Sequence, residues 1–280
     1  MPAISVVVLT YNSRDYLKSC LDALFNQLSG DGEVVLVDNG SEDATPDFIK
    51  ANYPRVRLIE NSENLGAAKA RNQGIEAAGG EWILTLDCDV VLEEGFMSKI
   101  VEFAKNSPDS TGMIQPKILS GDGTKIYSCG IYAAWLGRFY DIGKGSFDRS
   151  RFNRQAPVFG ACCAAALYRR KMLETVKDRY GYFDQRFFFL FEDADLSWRA
   201  KRQGWVCRYY PEVKCYHQAN SSATGQGIRQ FLSFRNRQLT ILKNQNLLLT
   251  FFMLPLYLAY DLPRFLILAI KFKCKFPKFK

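Results

Sequence analysis

Two aspartates, Asp87 and Asp89, follow directly on an apolar run that has the composition of a buried strand. Residues two apart in an extended chain point to the same side, so both carboxylates can face one ligand while Cys88 turns back into the protein. Paired carboxylates suit a hard divalent cation, Mg²⁺ or Mn²⁺, which in turn neutralises a diphosphate. The pattern alone is weak, because Asp193 and Asp195 repeat it, and a solvated turn is the alternative interpretation. The position at the end of a strand favours a function.

A second acidic group, formed by Glu192, Asp193 and Asp195, opens a predicted helix that ends at Gly204. Acids in a first helical turn interact favourably with the helix macrodipole, by about 0.3–1 kcal/mol, so this position alone requires no catalytic role. The residues before them are rich in phenylalanine, however, and would place the carboxylates beside apolar walls. A carboxylate in such surroundings has a raised pKa and can act as a general base, so the local sequence favours a function.

His217 is the only histidine in the chain and follows a strand-like run. A lone histidine is more often a structural residue than a metal ligand. Its imidazole could nevertheless complete the coordination of a metal held by Asp89. Both interpretations stay open from these residues alone.

The elements that must position these residues alternate between strands and helices. Apolar, β-branched runs cover residues 4–9, 34–37, 56–59 and 82–86. Apolar residues at helical spacing follow a candidate N-cap at Ser13, and a second, alanine-rich helix is predicted over residues 65–78. Strands separated by helices, each with a continuous apolar run, predict a mostly parallel sheet covered on both faces, a Rossmann-like α/β half.

Polar residues follow the carboxyl end of each predicted strand, which is where such sheets bind their ligands. These candidate tips are residues 10–12, 38–41, 61–64 and 87–89. The carboxyl ends of parallel strands lie at one edge of a sheet, so a shared site is expected there.

The charge of the chain is unevenly distributed. Residues 1–200 carry 23 Lys and Arg against 27 Asp and Glu, whereas residues 201–280 carry 14 against 2, a net charge of +12. This asymmetry predicts an anionic partner for the C-terminal part, a membrane surface or a nucleic acid. A chain of 280 residues with 48% hydrophobic content can bury a sizeable core, which excludes a disordered protein.

The eight cysteines include no C-x-x-C pair. We therefore expect reduced cysteines in a cytosolic protein rather than a zinc site or a disulfide framework. No basic segment precedes the first strand-like run, so no secretory signal is expected.

Residues 247–270 form a long apolar stretch that two prolines and two charged residues interrupt. The pieces between them, about 8–14 residues each, are too short to cross ~30 Å of hydrocarbon. We therefore predict two short helices in the membrane interface, followed by a basic tail at residues 271–280 that suits an anionic lipid surface. A helical hairpin packed on the body, or a homodimer contact, is the alternative. No recognisable module supports nucleic acid as the partner.

Together, these features resemble the family 2 inverting glycosyltransferases of GT-A fold. Six motifs carry the resemblance in order, SVVVLTYN, VVLVDNGSEDAT, NLGAAKARNQGI, WILTLDCDV, FDQRFFFLFEDADLSWRAKRQGW and VKCYHQANSS. They cover about residues 4–244. Within the family, the acidic motif, the downstream His217 and the segment FRNRQLTILKN are most similar to bacterial rhamnosyltransferases and galactofuranosyltransferases.

The resemblance implies a role for each candidate residue. The donor nucleotide would be bound by Thr10, Tyr11, Asn12, Asp38, Asn64, Gly66, Arg71 and Asp87. Asp89 would hold Mn²⁺ or Mg²⁺ with His217 as a further ligand. Asp193 would deprotonate the acceptor hydroxyl, and a single displacement at the anomeric carbon would invert its configuration. The base would be oriented or the acceptor bound by Glu192, Asp195 and Gly160.

The same resemblance implies the substrates and the location. The expected donor is dTDP-rhamnose or a UDP-sugar, and the acceptor is a hydroxyl of a glycan or lipid-linked molecule in bacterial surface polysaccharide synthesis. Residues 1–110 would form the nucleotide-sugar-binding half, residues 111–244 the acceptor-binding and catalytic half, and residues 245–280 basic amphipathic helices. The protein would then sit peripherally at the cytoplasmic face of the inner membrane.

Two other functions compete with this interpretation. A polyprenyl-phosphate sugar synthase uses an acceptor phosphate that is already a nucleophile, so the acids around Asp193 argue against it. A non-catalytic nucleotide-binding scaffold would not need the full set of acids and His217. The Q-x-x-R-W motif and multiple membrane spans of processive synthases are absent from the sequence, which argues against polymer extrusion.

Overall fold

The computed structural model describes residues 3–28, 32–219 and 225–271. Its strands are β1 (Ile4–Thr10), β2 (Glu33–Asp38), β3 (Arg57–Glu60), β4 (Trp82–Asp87), β5 (Val90–Leu92), β6 (Thr111–Ser120), β7 (Ile126–Ser128), β8 (Ile131–Ala134), β9 (Arg138–Asp141), β10 (Ala156–Val158), β11 (Ala165–Arg169) and β12 (Val206–His217). Its helices are α1 (Arg14–Phe25), α2 (Thr45–Asn52), α3 (Ala67–Ala77), α4 (Phe96–Lys105), α5 (Arg170–Val176), α6 (Glu192–Arg202), α7 (Gln226–Asn244) and α8 (Leu247–Lys271).

One large sheet runs through the molecule in the order β10-β12-β6-β11-β4-β1-β2-β3, with β5 paired to β12 and β7 to β6. The strands β4, β1, β2 and β3 are parallel, as the sequence predicts. β11 is antiparallel to both of its neighbours, β4 and β6. β8 and β9 form a separate hairpin outside this sheet. The parallel half therefore brings the predicted tips to one edge.

The predicted elements of the first 90 residues are confirmed to within two residues at each end. Ser13 occupies the N-cap position of α1, but its hydroxyl donates to the carbonyl of Tyr11 at 2.9 Å and does not cap the helix. Helix α3 begins after Gly66 and ends before the pair of glycines that follows residue 78.

Successive residues of β1 alternate between two apolar layers. Val6 and Val8 pack with helices α1, α2 and α4 on one face, while Val7 packs with α3, α5 and α6 on the other. Because both faces are covered, the successive positions Val6, Val7 and Val8 are all apolar, which explains the continuous run in the sequence. Each fully buried valine or leucine side chain contributes about 1.5–3 kcal/mol of transfer free energy to the fold.

The prediction of two short C-terminal helices is wrong, because α8 is one helix of 25 residues that contains Pro255 and Pro263. A proline removes one main-chain hydrogen bond and costs a helix about 3 kcal/mol, which strains the helix without forcing it to end. Asp261 does not interrupt it either, because this carboxylate is buried and its oxygens lie 2.7 Å from the guanidinium of Arg237 in α7.

Helix α8 folds back on α7, so one of its faces packs on the body, but as a single helix and not as the hairpin of the alternative interpretation. The Tyr257 hydroxyl donates to the side chain of Gln245 at 2.7 Å, and the rings of Phe234 and Phe265 lie 6.2 Å apart. The other face is exposed over its length, from Leu247, which is 84% exposed, to Ile270, which is 78% exposed. Residues 247–270 are long and apolar enough to cross a membrane. The predicted basic tail falls, from residue 272 onward, outside the described residues.

Candidate active site

A cavity of about 450 Å³ opens where the carboxyl ends of β1, β2 and β4 meet the start of α6. Nine of the fourteen candidate residues line it, namely Tyr11, Asn64, Gly66, Arg71, Asp87, Asp89, Glu192, Asp193 and His217. The sheet therefore brings both acidic groups and the histidine to one place, although Asp87 and His217 are 130 positions apart in the sequence.

Asp87, Asp89 and His217 each offer a ligand atom, and these atoms lie within 4.8 Å of one another. His217 reaches the group because β12 pairs with β5, so that it stands opposite Val90, directly after the acids. Its Nε2 lies 3.0 Å from Oδ1 of Asp89, and both side chains are buried. Two carboxylates and an imidazole in so small a buried space fit a divalent cation.

Arg71 bridges the two acidic groups from α3. Its guanidinium donates to Oδ1 of Asp87 at 2.6 Å and to Oε1 of Glu192 at 2.9 Å. Arg71 and Glu192 are both buried. Burial raises the pKa of Glu192, and the charge of Arg71 opposes that rise. The arginine predicted to lie over the diphosphate thus also joins the strand-end acids to the start of α6.

Asp193 has a different environment. Burial, followed by the like charges of Glu192 and Asp141, raises the pKa of Asp193 to about 7. Its Oδ1 accepts a hydrogen bond from the backbone N–H of Ala194 at 2.8 Å. A carboxylate that titrates near neutral pH can take a proton from a substrate hydroxyl and release it again.

The loop before Asp193 has an unusual backbone. Phe188, Leu190 and Phe191 have φ values of 66°, 69° and 73°, a region that non-glycine residues seldom occupy. Such positions cost of order 1–3 kcal/mol each and persist only when surrounding contacts hold them. Gly66, with φ of 84°, approaches this loop so closely that an added Cβ would lie 2.7 Å from the Phe188 carbonyl oxygen. The loop can therefore adopt this position only because residue 66 has no side chain.

Asn236 in α7 holds this loop in place. Its buried amide nitrogen donates to the carbonyls of Phe187, Phe189 and Leu190 at 2.7–2.9 Å. Asn236 does not line the cavity, so any effect on Asp193 would pass through the loop. The sequence carries one signal for it, the FRNRQLTILKN segment, but that pattern does not reveal which side chain meets the loop.

The β8–β9 hairpin and the turn after it form a wall that the sequence did not reveal. Phe139, Tyr140, Asp141 and Lys144 line the cavity, and the Lys144 ammonium lies 2.7 Å from the Asp141 carboxylate. The ring of Phe139 meets the edge of Phe191, with centroids 5.9 Å apart. No spacing or motif marks these residues, so only the fold places them beside Asp193.

Three predicted donor residues lie behind the cavity wall. The side-chain oxygen of Asn12 accepts from the N–H of Glu42 at 2.7 Å, and Asp38 accepts from the N–H of Ser41 at 3.0 Å. Thr10 is buried at the end of β1. These contacts shape the loop after β2, and within the described chain Oδ1 of Asp38 has no hydrogen-bond partner.

Asp195 faces away from the cavity. Its fully buried carboxylate accepts from Arg199 at 2.9 Å, from Lys243 at 3.1 Å and from Asn244 at 2.7 Å. These contacts fasten α6 to α7. Asp195 therefore belongs to the packing of α6 on α7, outside the cavity.

Gly160 also lies off the cavity. A Cβ at this position would lie 2.1 Å from the Ser197 hydroxyl of α6, so the glycine permits close packing of that helix. The small residues that do line the cavity are Cys162, Cys163 and Ala164. The residues that follow Gly160, rather than Gly160 itself, therefore form this part of the cavity wall.

Comparison with known proteins agrees with this geometry. The sequence profile described as Glycosyl transferase family 2 matches residues 5–177. The N-acetylglucosaminyl-diphospho-decaprenol L-rhamnosyltransferase of Mycobacterium tuberculosis is 29% identical over 243 residues, which cover 78% of this chain and 77% of that protein. The predicted resemblance to bacterial rhamnosyltransferases is thereby confirmed.

Solved structures show the same fold at low sequence identity. GalNAc-T7 with UDP, GalNAc and Mn²⁺ superposes with a TM-score of 0.64 and 15% identity, over 86% of this chain and 48% of that one. The mannosyltransferase PcManGT from Pyrobaculum calidifontis, in complex with GDP-Man and Mn²⁺, gives a TM-score of 0.61 and 18% identity over 99% of this chain and 76% of that one. The predicted GT-A fold is confirmed, and the chain belongs to glycosyl transferase family 2.

Proposed function

We propose that this protein transfers a sugar, with inversion, from dTDP-rhamnose or a UDP-sugar to a hydroxyl of a glycan or lipid-linked acceptor in bacterial surface polysaccharide synthesis. One observation carries the proposal. A single cavity holds a cluster suited to a cation, Asp87, Asp89 and His217, together with Asp193, a carboxylate that titrates near neutral pH. The mycobacterial relative, an N-acetylglucosaminyl-diphospho-decaprenol L-rhamnosyltransferase, supports the choice of substrates.

On the donor side, Tyr11, Asn64 and Gly66 would contact the nucleotide, with Arg71 near the diphosphate. The Asn64 side chain is preorganised, since its oxygen accepts from the Asn39 amide and from the Gly66 N–H, each at 2.9 Å. Asp89 and His217, beside Asp87, would hold Mn²⁺ or Mg²⁺. Such an ion, when bound, neutralises charge that develops on the departing diphosphate.

On the acceptor side, Asp193 would accept the proton of the acceptor hydroxyl. The oxygen then attacks the anomeric carbon from the face opposite the diphosphate, forming one C–O bond as the sugar–phosphate bond breaks. The electron pair of the broken bond leaves with the nucleotide diphosphate, and the proton remains on Asp193. Glu192, fixed by Arg71, would keep the base oriented.

The two halves of the site would follow the division of the chain predicted above. Residues 1–110 contain the strand ends that face the donor, and residues 111–244 contain the hairpin and α6 beside the acceptor. They share one sheet, in which β11 lies between β4 and β6, so they form parts of a single domain.

The C-terminal segment 245–280 would attach the protein peripherally to the cytoplasmic face of the inner membrane. Two features of α8 support attachment along the surface: its exposed apolar face, and the contacts of Tyr257 and Asp261 with α7. A helix packed lengthwise on the body in this way is poorly placed to cross a bilayer. The net charge of +12 on the last 80 residues favours an anionic lipid surface.

The test begins with a thermal-shift screen of UDP-, dTDP- and GDP-sugars with Mn²⁺, since a bound donor raises the melting temperature. The stabilising sugar is then offered with a hydroxyl acceptor and, separately, with a polyprenyl phosphate. Transfer to the hydroxyl that depends on Asp193 supports the proposal. Transfer to the phosphate that survives Asp193→Asn indicates the synthase instead, and binding without any transfer indicates a scaffold.

A further inference from the structure

The turn of the β8–β9 hairpin presents a tryptophan to solvent. Trp135 is 85% exposed, the largest exposed fraction among the bulky apolar side chains of the described residues. Tryptophan is usually well buried, because its large ring contributes strongly to apolar contacts. An indole held at a hairpin tip therefore indicates a surface that is covered in use.

This tip has a fixed position relative to the C-terminal helices. The buried guanidinium of Arg237 donates through Nε to the Leu136 carbonyl at 2.9 Å and through Nη1 to both oxygens of Asp261 at 2.7 Å. An added Cβ on Gly137 would lie 2.5 Å from Ile241, so the turn also touches α7 closely. One arginine thus joins the hairpin to the middle of α8.

The surroundings of the tip combine apolar and basic side chains. On α8, Leu258 and Leu262 flank Asp261 and are 58% and 57% exposed. Arg138 lies over the ring of Tyr260, 5.5 Å from its centroid. Exposed leucines, an interfacial aromatic and nearby arginines are the composition of a surface that contacts lipid head groups and the outer acyl chains.

The other end of the same hairpin reaches the cavity. Phe139, Tyr140 and Asp141 are lining residues, and Asp141 is six positions from Trp135. At about 3.3 Å per residue, the tip is within roughly 20 Å of the cavity wall. A membrane that touches Trp135 would therefore lie close to the site where the acceptor hydroxyl must enter.

We propose that the β8–β9 hairpin is a second membrane contact, which inserts Trp135 into the lipid interface beside α8 and sets the cavity at a fixed height above the bilayer. The acceptor is then a short saccharide joined to a membrane lipid, with its reactive hydroxyl no farther than about 20 Å from the surface. This inference rests on the proposed function, both the transfer reaction and the attachment through α8.

The binding test uses the full chain and vesicles of phosphatidylcholine containing phosphatidylglycerol. Trp135→Ala should weaken vesicle binding by about tenfold, the effect of removing one large aromatic from an apolar contact. Phe147→Ala is the matched control, because Phe147 is 59% exposed, contacts Lys125 and belongs to neither the β8–β9 hairpin nor α8. Brominated lipids should quench wild-type fluorescence, and Trp135→Phe should lose most of that quenching.

The activity test compares a vesicle-bound lipid-linked acceptor with a soluble short-chain analogue. Trp135→Ala should lower turnover of the first about tenfold and leave turnover of the second unchanged. If Trp135→Ala binds vesicles normally and brominated lipids do not quench Trp135 in the wild type, the hairpin contact is wrong. The attachment through α8 would then still stand. Absence of vesicle binding by the wild type would overturn both. A dimer that Trp135→Ala dissociates would assign this surface to a second copy of the chain and overturn the inference.

Discussion

The aspartates at the strand end and Asp193 at the start of α6 are the same residue type in different electrostatic settings. At the strand end, Asp87 lies 2.6 Å from the guanidinium of Arg71, and Asp89 lies 3.0 Å from the imidazole of His217. Each of these carboxylates has a basic group beside it.

At the start of α6, the influences on Asp193 that raise its pKa are burial and two carboxylates, Glu192 and Asp141. Desolvation and like charge both favour the protonated form, so the acid titrates near 7 instead of near its ordinary value of 3.8. We infer that the neighbours, rather than the residue type, suit Asp193 to accept a proton and leave the strand-end acids for a cation.

The largest expected effect follows from removing the proton acceptor. Asp193→Asn keeps the size of the side chain but cannot take the acceptor proton, so turnover should fall by about 10²–10⁴-fold. Donor affinity, measured by calorimetry, should stay nearly unchanged. Glu192→Gln is the companion variant: if it loses the rate while Asp193→Asn retains it, the two acids have been assigned the wrong way round.

Removing an acid at the strand end should weaken donor binding, the quantity that Asp193→Asn leaves nearly unchanged. Asp89→Ala should weaken donor binding in the presence of Mn²⁺ by at least about tenfold, since even outer partners of metal ligands contribute 10–100-fold. In the absence of Mn²⁺ the variant and the wild type should bind the donor equally. Calorimetric affinities that are equal with and without Mn²⁺, in both proteins, would contradict a cation site at Asp89 and His217.

A smaller effect is expected from the loop that presents Asp193. Asn236→Ala should lower turnover by about tenfold, because the three carbonyls lose their shared donor and small displacements of a catalytic group are costly. Donor affinity should remain unchanged.

The matched control for that variant is Asn244→Ala, a buried asparagine of the same helix that bonds Asp195. Both variants should lose thermal stability, but only Asn236→Ala should lose turnover at temperatures where the protein stays folded. Equal losses of turnover in the two variants would show that Asn236 has only a structural role.

The smallest effect concerns stability. Because the folded-state pKa of Asp193 is raised, ionisation of this residue opposes folding. Below about pH 4 it is protonated in both the folded and the unfolded state, so it does not lower the stability. As the pH rises towards 7 the unfolded state ionises first, and the free energy of unfolding falls. Asp193→Asn should therefore raise the melting temperature relative to wild type increasingly between about pH 4 and 7, with a plateau above. A difference independent of pH would mean that the pKa of Asp193 is not raised.

The sequence predicted the parts of the molecule that local patterns determine. The apolar runs placed Asp87 and Asp89 at the end of a strand. Because the carboxyl ends of parallel strands lie at one edge of a sheet, a shared site could be predicted there. His217 could be proposed as a partner because it is the only histidine and ends a strand-like run. The pairing of β12 with β5 brings them together, as expected.

Contacts between distant elements escaped prediction. Asp195 has the same local pattern as Asp193, yet one faces α7 and the other the cavity, because the direction of each is set by tertiary packing. Asn236 and the hairpin residue Phe139 carry no local pattern. Helix α8 was predicted as two pieces because the partner of Asp261, an arginine 24 residues earlier, was not visible in the sequence.

The pH dependence of kcat/KM, measured with the hydroxyl acceptor, tests the role of Asp193 most directly. The rate should fall on the acid side with a midpoint near 7, the pKa of Asp193, and Asp141→Asn should move that midpoint to lower pH by removing a like charge. Asp193→Asn should abolish the acid limb. A midpoint near 4, or an acid limb that persists unchanged in Asp193→Asn, would show that Asp193 does not accept the proton.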